Sequence, residues 1–274
     1  MADRPEAGTV VLVGCGQMGG SMLRGWLARG AASHFHVVEP AGLAAATADT
    51  ASVTWHRDAA GLPAAIEPAA VVFAVKPQVI DDVLPAYRRF APGKALFVSI
   101  AAGTTIGRIA RCIGEAAAIA RCMPNTPAAI GRAITVACAN HHVTGSQRRL
   151  CDALLAAIGD SAWIADEALM DAVTAVSGSG PAYVFLLIEA LAAAGERVGL
   201  PAGLALQLAR ATVAGAGELA LRSPEPPARL RENVTSPGGT TRAALDVLMA
   251  AGGLPELIDR AVAAATRRSQ ELAG

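Results

Sequence analysis

The chain has 274 residues, enough for one large domain or two smaller ones, and its 23 basic and 23 acidic side chains give a formal net charge of zero. This balance excludes the basic footprint of a nucleic-acid-binding protein and the polybasic patch of a membrane-surface protein, so we expect small molecules as ligands. Alanine dominates and aromatic residues make up only 4% of the chain, which predicts closely packed helices with few bulky anchors.

The sequence shows no strong signal for a disulfide framework, a metal centre, secretion or a membrane span. The five cysteines are odd in number, widely spread and without CxxC or histidine-partner spacing, which favours neither disulfides nor a zinc site. The opening MADRPEAG has no apolar leader region, and the apolar stretch 183–194 is too short for a span and carries Glu189. We therefore expect a soluble, cytoplasmic protein without a metal and without a membrane contact.

Short β-branched runs alternate with alanine-rich helical stretches as far as about residue 165. The predicted strands are 9–13, 35–39, 70–75, 95–100, 117–122 and 133–139. Such alternation is typical of βαβ units around a parallel sheet. Beyond residue 165 helical periodicity takes over, and Gly195 and Gly199 stand where helices should end. The sequence therefore predicts an α/β fold, with a doubly wound, mainly parallel sheet in residues 1–165 and an all-helical second domain in residues 166–274.

A glycine-rich loop follows the first predicted strand directly. It comprises Gly14, Cys15, Gly16, Gln17, Met18 and Gly19. In a GxGxxG sequence between a strand and a helix, the first glycine forms the tight turn, the second admits a pyrophosphate and the third permits close helix packing. The helix N-terminus then faces the phosphates. The loop predicts a Rossmann-type domain that binds a dinucleotide.

Two charged residues bear on which dinucleotide is bound. Glu39 ends the second predicted strand, where a carboxylate would accept hydrogen bonds from the adenosine ribose and repel a 2′-phosphate. Arg57 follows a further strand signal between the predicted strands 35–39 and 70–75, and it would supply positive charge to the same end of the cofactor, unless it is an ordinary surface arginine. Glu39 favours NADH, and Arg57 keeps NADPH open.

The segment VTSPGGTT, residues 234–241, interrupts the helical half of the chain. Ser236, Gly238, Gly239 and Thr240 bring backbone amides and hydroxyls just ahead of an apolar run. Unpaired amides at a helix N-terminus attract negative charge, and glycines let the backbone approach a ligand closely. The turn predicts a small anion site, and the alternative is an N-cap turn in which a hydroxyl merely caps the helix.

Four further motifs stand in order along the chain. They are AVKP at 74–77, SIAAG at 99–103, RCMPNTP at 121–127 and SGSGPAY at 177–183. Together with the glycine loop and the SPGGTT turn, they closely resemble the pyrroline-5-carboxylate reductase family over nearly the whole chain. The resemblance implies a C-terminal domain that interleaves with its twin in a homodimer, with dimers often assembled into rings of five. It also implies reduction of the cyclic imine 1-pyrroline-5-carboxylate to L-proline by NAD(P)H, the last step of proline biosynthesis.

The resemblance assigns cofactor contacts outside the glycine loop. They are Ala74, Val75, Lys76 and Pro77, near the ribose and pyrophosphate, with Ala101 and Ala102 in a similar role. Lys76 is one of only two lysines and so invites a catalytic role. The proline that follows it favours a shaped backbone turn instead.

The resemblance also assigns residues to the substrate. Glu167 and Asn233 resemble substrate-proximal residues, with Asn233 also close to the cofactor, although Glu167 could equally be a carboxylate favoured at a helix start. Thr240 and Thr241 resemble the residues that hold the substrate, and the Thr241 hydroxyl would lie near the ring nitrogen. On this basis the turn at 236–241 would bind the substrate carboxylate.

The product nitrogen needs a proton, and no histidine or cysteine stands in a motif suited to supply it. We expect His34, His36, His56, His141 and His142 to be surface or hydrogen-bonded histidines. The imine would arrive protonated, or take its proton through Thr241 or a water.

Three other functions compete with this interpretation. A β-hydroxyacid dehydrogenase needs a lysine at a helix start in its second domain, and the chain has none after Lys94. A noncatalytic dinucleotide-binding dimer would have no need of the anion-binding turn. A reductase of a related cyclic imine remains open.

Overall fold

The computed structural model describes residues 8–43 and 51–273. Residues 1–7, where the sequence shows no apolar leader, lie outside the described residues. By its contacts the chain divides into two units. We call them the sheet unit, residues up to Gly178 together with those from Thr266 onwards, and the helical unit, Ser179–Ala265.

The sheet unit is built on a sheet that has eight strands in the described residues. They are β1 (Thr9–Val13), β2 (His34–Val38), β3 (Val53–His56), β4 (Ala70–Phe73), β5 (Leu96–Ser99), β6 (Ala118–Met123), β7 (Ala133–Ala139) and β8 (Gly159–Trp163). Their order is β3-β2-β1-β4-β5-β6-β7-β8, and only the β6–β7 pair is antiparallel. The reversal of strand order beside β1 places a crevice at the carboxyl ends of β1 and β4. The predicted doubly wound, mainly parallel sheet is confirmed.

The strand interiors are buried because helices cover both faces of the sheet. The apolar runs Val10–Val13, Ala70–Phe73 and Leu96–Val98 are almost fully inaccessible. One core cluster gathers around Trp26 and Phe35, and the other around Phe73. This double burial is why these strands appear in the sequence as continuous apolar runs.

Helices occur in both of the described units. The α-helices are α1 (Gln17–Arg29), α2 (Ile80–Val83), α3 (Ile106–Ile113), α4 (Gly145–Ala156), α5 (Met170–Val173), α6 (Gly180–Arg197), α7 (Ala202–Arg222), α8 (Pro227–Asn233), α9 (Thr240–Leu248) and α10 (Leu254–Ala273). Short 3-10 turns lie at Ala59–Gly61, Pro77–Val79, Leu84–Phe90, Thr126–Ile130 and Glu167–Leu169, and a π-helical turn at Thr174–Gly178.

Two local predictions differ from the structure. Strand β8 was not predicted, because its sequence GDSAW has no apolar run and forms an edge of the sheet. Gly195 does not end a helix, since α6 continues through it to Arg197. A Cβ atom at Gly195 would lie 3.2 Å from the Cβ of Ala205, so this glycine allows α6 and α7 to pack closely.

The segment just after residue 165 packs within the sheet unit. Met170 and Ala175 are buried there, and the Ser269 hydroxyl donates a 2.6 Å hydrogen bond to the carboxylate of Asp171. For this reason the boundary by contacts falls after Gly178, whereas the sequence boundary was placed at residue 165.

One helical stretch, Glu167–Arg197, is long and apolar enough by composition to cross a membrane. The apolar stretch 183–194, expected to be too short for a span, forms part of this longer run. Only 11% of its most apolar window is buried, so its apolar side chains lie at the surface of the chain.

Candidate active site

The glycine loop has the geometry that a pyrophosphate site requires. Gly14 has φ +89°, and a Cβ atom there would lie 2.8 Å from the carbonyl oxygen of Ala74. A Cβ atom at Gly19 would overlap the carbonyl oxygen of Gly14, whereas one at Gly16 meets no atom within 4 Å. The first and third glycines therefore allow close backbone packing, and the second leaves open space for a ligand. Helix α1 begins directly after Gly16, and no side chain caps its free amides.

A cavity of about 560 Å³ opens on one side of this loop. Its charged lining residues are Glu39, Arg57, Asp58, Lys76 and Asp82, and its apolar wall includes Val79, Val83, Ala86 and Tyr87. Apolar atoms dominate the lining, which suits an adenine ring. The structure thus brings Glu39, Arg57 and Lys76 to one cavity with Gly14 and Gly16.

Glu39 is tied directly to the loop. Its Oε2 accepts a 2.7 Å hydrogen bond from the backbone amide of Cys15, and its Oε1 accepts one of 3.1 Å from the amide of Ala41. Burial and the nearby Glu39 carboxylate both raise the pKa of the Cys15 thiol. A carboxylate is therefore fixed at the end of β2, where it can meet the ribose of a dinucleotide.

A second cavity, of about 250 Å³, lies beside the first within the sheet unit. It is lined by Met18, Ala74, Val75, Pro77, Ile100, Ala101, Ala102, Met123, Pro124, Asn125, Thr126 and Gly178. Ala74 and Val75 line both cavities, so an extended ligand could pass over them from one to the other. The arrangement fits a dinucleotide with one base in each cavity and its pyrophosphate at Gly16. Among the predicted loop residues, Cys15, Gln17 and Gly19 line neither cavity.

Glu167 lies in the sheet unit, at the start of a 3-10 turn. Its Oε1 accepts a 2.9 Å hydrogen bond from the guanidinium of Arg121 and one of 2.8 Å from the backbone amide of Ile106. The sequence analysis noted Arg121 only as part of a motif. A contact between residues so far apart in the chain leaves no local sequence pattern by which it could be found.

The predicted substrate residues of the helical unit gather at one turn. Gly238 has φ +68°, and the amide of Gly239 donates a 3.0 Å hydrogen bond to the carbonyl oxygen of Ser236. Helix α9 then begins at Thr240, with Gly239 as its N-cap and no side chain capping it. Its first amides are therefore free of the side-chain cap that the alternative interpretation required. Asn233 stands just upstream, where its Nδ2 donates a 3.0 Å hydrogen bond to Glu225.

Three of the five histidines form a cluster on β2 and β3. The Nδ1 of His36 and the Nε2 of His56 are 2.8 Å apart, and His34 is hydrogen-bonded to Thr54. Burial, with the charges of His34 and His56, lowers the pKa of His36 to about 4. These side chains pair with one another or with Thr54, and none of them lines the two cavities.

The fold and the loop together define a dinucleotide-binding protein, and the family models place it among the oxidoreductases. A family model described as NADP oxidoreductase, coenzyme F420-dependent, matches residues 9–103, and one for pyrroline-5-carboxylate reductase dimerisation matches residues 167–272. Pyrroline-5-carboxylate reductases of Pseudomonas aeruginosa and of a Synechocystis strain are 44% and 47% identical to the chain, over 74% of its length and 74% of theirs. The chain belongs to the pyrroline-5-carboxylate reductase family.

Solved structures agree over the whole chain. The pyrroline-5-carboxylate reductase of Coxiella burnetii has a TM-score of 0.89 at 34% identity, and the comparison covers 97% of this chain and 98% of that one. The pyrroline carboxylate reductase of Plasmodium falciparum, determined with NADP bound, has a TM-score of 0.84 at 29% identity, with 98% and 99% covered. The predicted family, the α/β fold with its helical C-terminal domain and the use of a nicotinamide dinucleotide are thereby confirmed.

Proposed function

We propose that this protein reduces 1-pyrroline-5-carboxylate to L-proline with NAD(P)H, the last step of proline biosynthesis. The observation that carries the proposal is the 44% identity to the Pseudomonas aeruginosa enzyme, together with a glycine loop built to admit a pyrophosphate. Reduction of a C=N bond by a nicotinamide needs no metal and no covalent nucleophile.

The sheet unit holds the cofactor. The amides at the start of α1 bind the pyrophosphate, because unpaired N–H groups and the helix dipole both favour an anion. The adenosine half occupies the larger cavity, with Glu39 and Arg57 at its ribose, and the nicotinamide half occupies the smaller one, against Ala101 and Ala102. When bound, the reduced nicotinamide supplies the hydride. Lys76 shapes the backbone at the end of β4 rather than reacting.

The turn at 236–241 holds the substrate. The carboxylate accepts a hydrogen bond from the amide of Thr240 at the N-terminus of α9, helped by the Ser236 hydroxyl, while the amide of Gly239 is bonded to the carbonyl oxygen of Ser236 and holds the turn. Gly238, at positive φ, closes the turn without a side chain that would obstruct the ligand. The Thr241 hydroxyl is hydrogen-bonded to the ring nitrogen, as the donor to a neutral imine or as the acceptor from a protonated one. A neutral imine receives its proton through this hydroxyl. Asn233 lies just upstream of this turn and is a further substrate contact in this proposal, as is Glu167 of the sheet unit.

The carboxylate of Glu39 gives this enzyme a preference for NADH. It accepts hydrogen bonds from the ribose hydroxyls of NADH, whereas the 2′-phosphate of NADPH would meet a second negative charge. Arg57 lines the same cavity and partly offsets this repulsion.

The working form is a cytoplasmic homodimer, which assembles further into a pentamer of dimers. The dimerisation family model covers 167–272, the part of the chain with the most exposed apolar side chains, and a second copy covers them in place of a membrane. In this arrangement residues 1–165 serve the cofactor and residues 166–274 serve the substrate and the dimer.

The informative assay follows nicotinamide absorbance with 1-pyrroline-5-carboxylate and each cofactor in turn. Thr241→Ala should lower kcat by about 100-fold, because the ring nitrogen loses its hydroxyl partner, and Thr241→Ser should keep most of the activity. Folded wild-type protein without turnover on either cofactor would reject the proposed reaction, in favour of a noncatalytic binder or a reductase of a related imine. Indifference to Thr241→Ala would reject only the role of the hydroxyl.

A further inference from the structure

A partly buried ion pair joins three segments of the sheet unit at a single oxygen atom. The Nη1 of Arg121 lies 2.9 Å from the Oε1 of Glu167, and the same oxygen accepts the amide of Ile106 at 2.8 Å. The Arg121 side chain is 6% exposed and that of Glu167 is 31% exposed. Arginine stays charged at every accessible pH, so Arg121 holds a positive charge in a largely buried position, and the Glu167 carboxylate faces it.

Stability alone gives little reason to place such a pair here. Two charges lose much hydration free energy on burial, and well-packed apolar residues of similar size are often as stable or more stable in the same place. Removing a single partner is costly, because the other charge is left buried and uncompensated. The pair therefore calls for a role in fixing the geometry of something nearby.

The three joined segments lead into three of the walls of the smaller cavity. Ile106 begins α3, directly after the loop that contains Ala101 and Ala102. Arg121 is on β6, two residues before Met123 in the 123–126 wall of the cavity. Glu167 begins the segment that ends at Gly178, where a Cβ atom would lie 2.5 Å from the Cε of Met123. A shift at Glu167 would thus move all three walls.

We propose that Arg121 and Glu167 are positioning residues that set the shape of the nicotinamide-side cavity. Neither needs to touch the cofactor: Arg121 acts through Glu167, and Glu167 acts through its bonds to β6 and to the start of α3. The inference rests on the proposed function, since it takes the smaller cavity as the nicotinamide site. It gives Glu167, expected near the substrate, a specific task in shaping the pocket.

The decisive variants separate positioning from stability. Arg121→Met leaves the Glu167 carboxylate without its cation and should lower Tm. The double variant Arg121→Met/Glu167→Gln removes both charges, keeps an amide oxygen for the amide of Ile106, and should recover most of the lost Tm. Glu271→Gln is the matched control, because it breaks the exposed Arg268–Glu271 ion pair of the same unit.

Binding is measured by calorimetry with NADH and with ADP-ribose, which lacks the nicotinamide. In the double variant we expect Kd for NADH to rise about tenfold while Kd for ADP-ribose stays within about twofold of wild type, and kcat to fall about tenfold. Glu271→Gln should match wild type in every measurement. Because the two ligands are compared on the same folded protein, the ratio of their Kd values does not depend on how much Tm recovers.

An unchanged ratio of the two Kd values in both variants would overturn the positioning role, whether affinity is retained or lost equally for both ligands. The proposed function fails in a different way. It fails if the wild-type protein binds neither reduced cofactor and turns over no imine, whatever the variants do.

Discussion

The sheet unit and the helical unit bury their apolar residues to very different degrees. The sheet unit encloses bulky side chains such as Trp26, Phe73 and Tyr87 almost completely. In the described part of the helical unit, the buried apolar residues are alanines, Ala192, Ala205 and Ala209. Larger side chains there face outward, with Phe185 57% exposed.

This difference shows which half of the molecule is complete in one chain. The sheet unit has its core, its glycine loop and both cavities within itself, so one chain can form the cofactor site. The helical unit leaves an apolar surface of a kind that monomeric proteins rarely expose, so it needs a second surface to cover it. We therefore expect substitutions in the sheet unit to act on cofactor affinity and those on the helical surface to act on assembly.

The largest expected effect is on assembly. Phe185→Asp should cost about 3 kcal/mol or more of association free energy, because a carboxylate would be buried without a partner, and dimers should weaken more than 100-fold. Sedimentation should then show monomers, with activity lost at assay concentrations. Ile130→Asp is the control, since it places the same charge on an exposed apolar site of the sheet unit. A Phe185→Asp protein that remains dimeric and active would break the comparison between the two units.

The next effect separates cofactor binding from folding within the sheet unit. Gly16→Ala should leave Tm nearly unchanged, since its Cβ meets no atom, yet weaken NAD(P)H binding by about tenfold or more by obstructing the pyrophosphate. Gly25→Ala on α1 should do the opposite. Its Cβ would lie 2.5 Å from the carbonyl oxygen of Ala157, which should destabilise the fold by about 1–3 kcal/mol without altering Kd. Equal effects of both variants on Kd would contradict the assigned role of Gly16.

A smaller effect concerns the choice of cofactor. Glu39→Ser removes a carboxylate that would face a 2′-phosphate and should shift the ratio of kcat/KM for NADPH over NADH by about tenfold towards NADPH. The measurement is steady-state kinetics with both cofactors. The same ratio in wild type and variant would show that Glu39 does not set the cofactor preference at the ribose.

The smallest effect is a pH dependence at the edge of the sheet. The pKa of His36, about 4, is below its unfolded value of about 6.5, so the unfolded chain binds a proton that the folded chain does not. The contribution of His36 to the free energy of unfolding is therefore fully present above pH 6.5 and is lost as the pH falls towards 4. Because the ring is partly exposed, we expect a loss of only about 1 kcal/mol between pH 6.5 and pH 5. Urea titrations at several pH values should show that His36→Phe loses less unfolding free energy between pH 6.5 and pH 5 than the wild type. An equal loss in both proteins would exclude His36 as its source.

The sequence predicted what local patterns encode. The glycine loop and the strands beside it were predicted well because each carries its signal within a few residues, and continuous apolar runs correspond to double burial. Strand β8 was missed because an edge strand needs no such run. The Arg121–Glu167 contact was missed because the fold brings these two residues together across most of β7, α4 and β8. The partner of Gly195 likewise becomes visible only once α6 and α7 are packed.

Hydride transfer from the nicotinamide to 1-pyrroline-5-carboxylate is tested most directly by following the transferred atom. The protein would be incubated with 1-pyrroline-5-carboxylate and a cofactor that carries two deuterium atoms at the reactive ring carbon of its nicotinamide, and the product examined by mass spectrometry and NMR. We expect L-proline with one deuterium on the ring carbon that is bonded to nitrogen and does not carry the carboxylate, formed in step with cofactor oxidation. Cofactor binding without labelled proline, in protein shown to be folded and assembled, would contradict it.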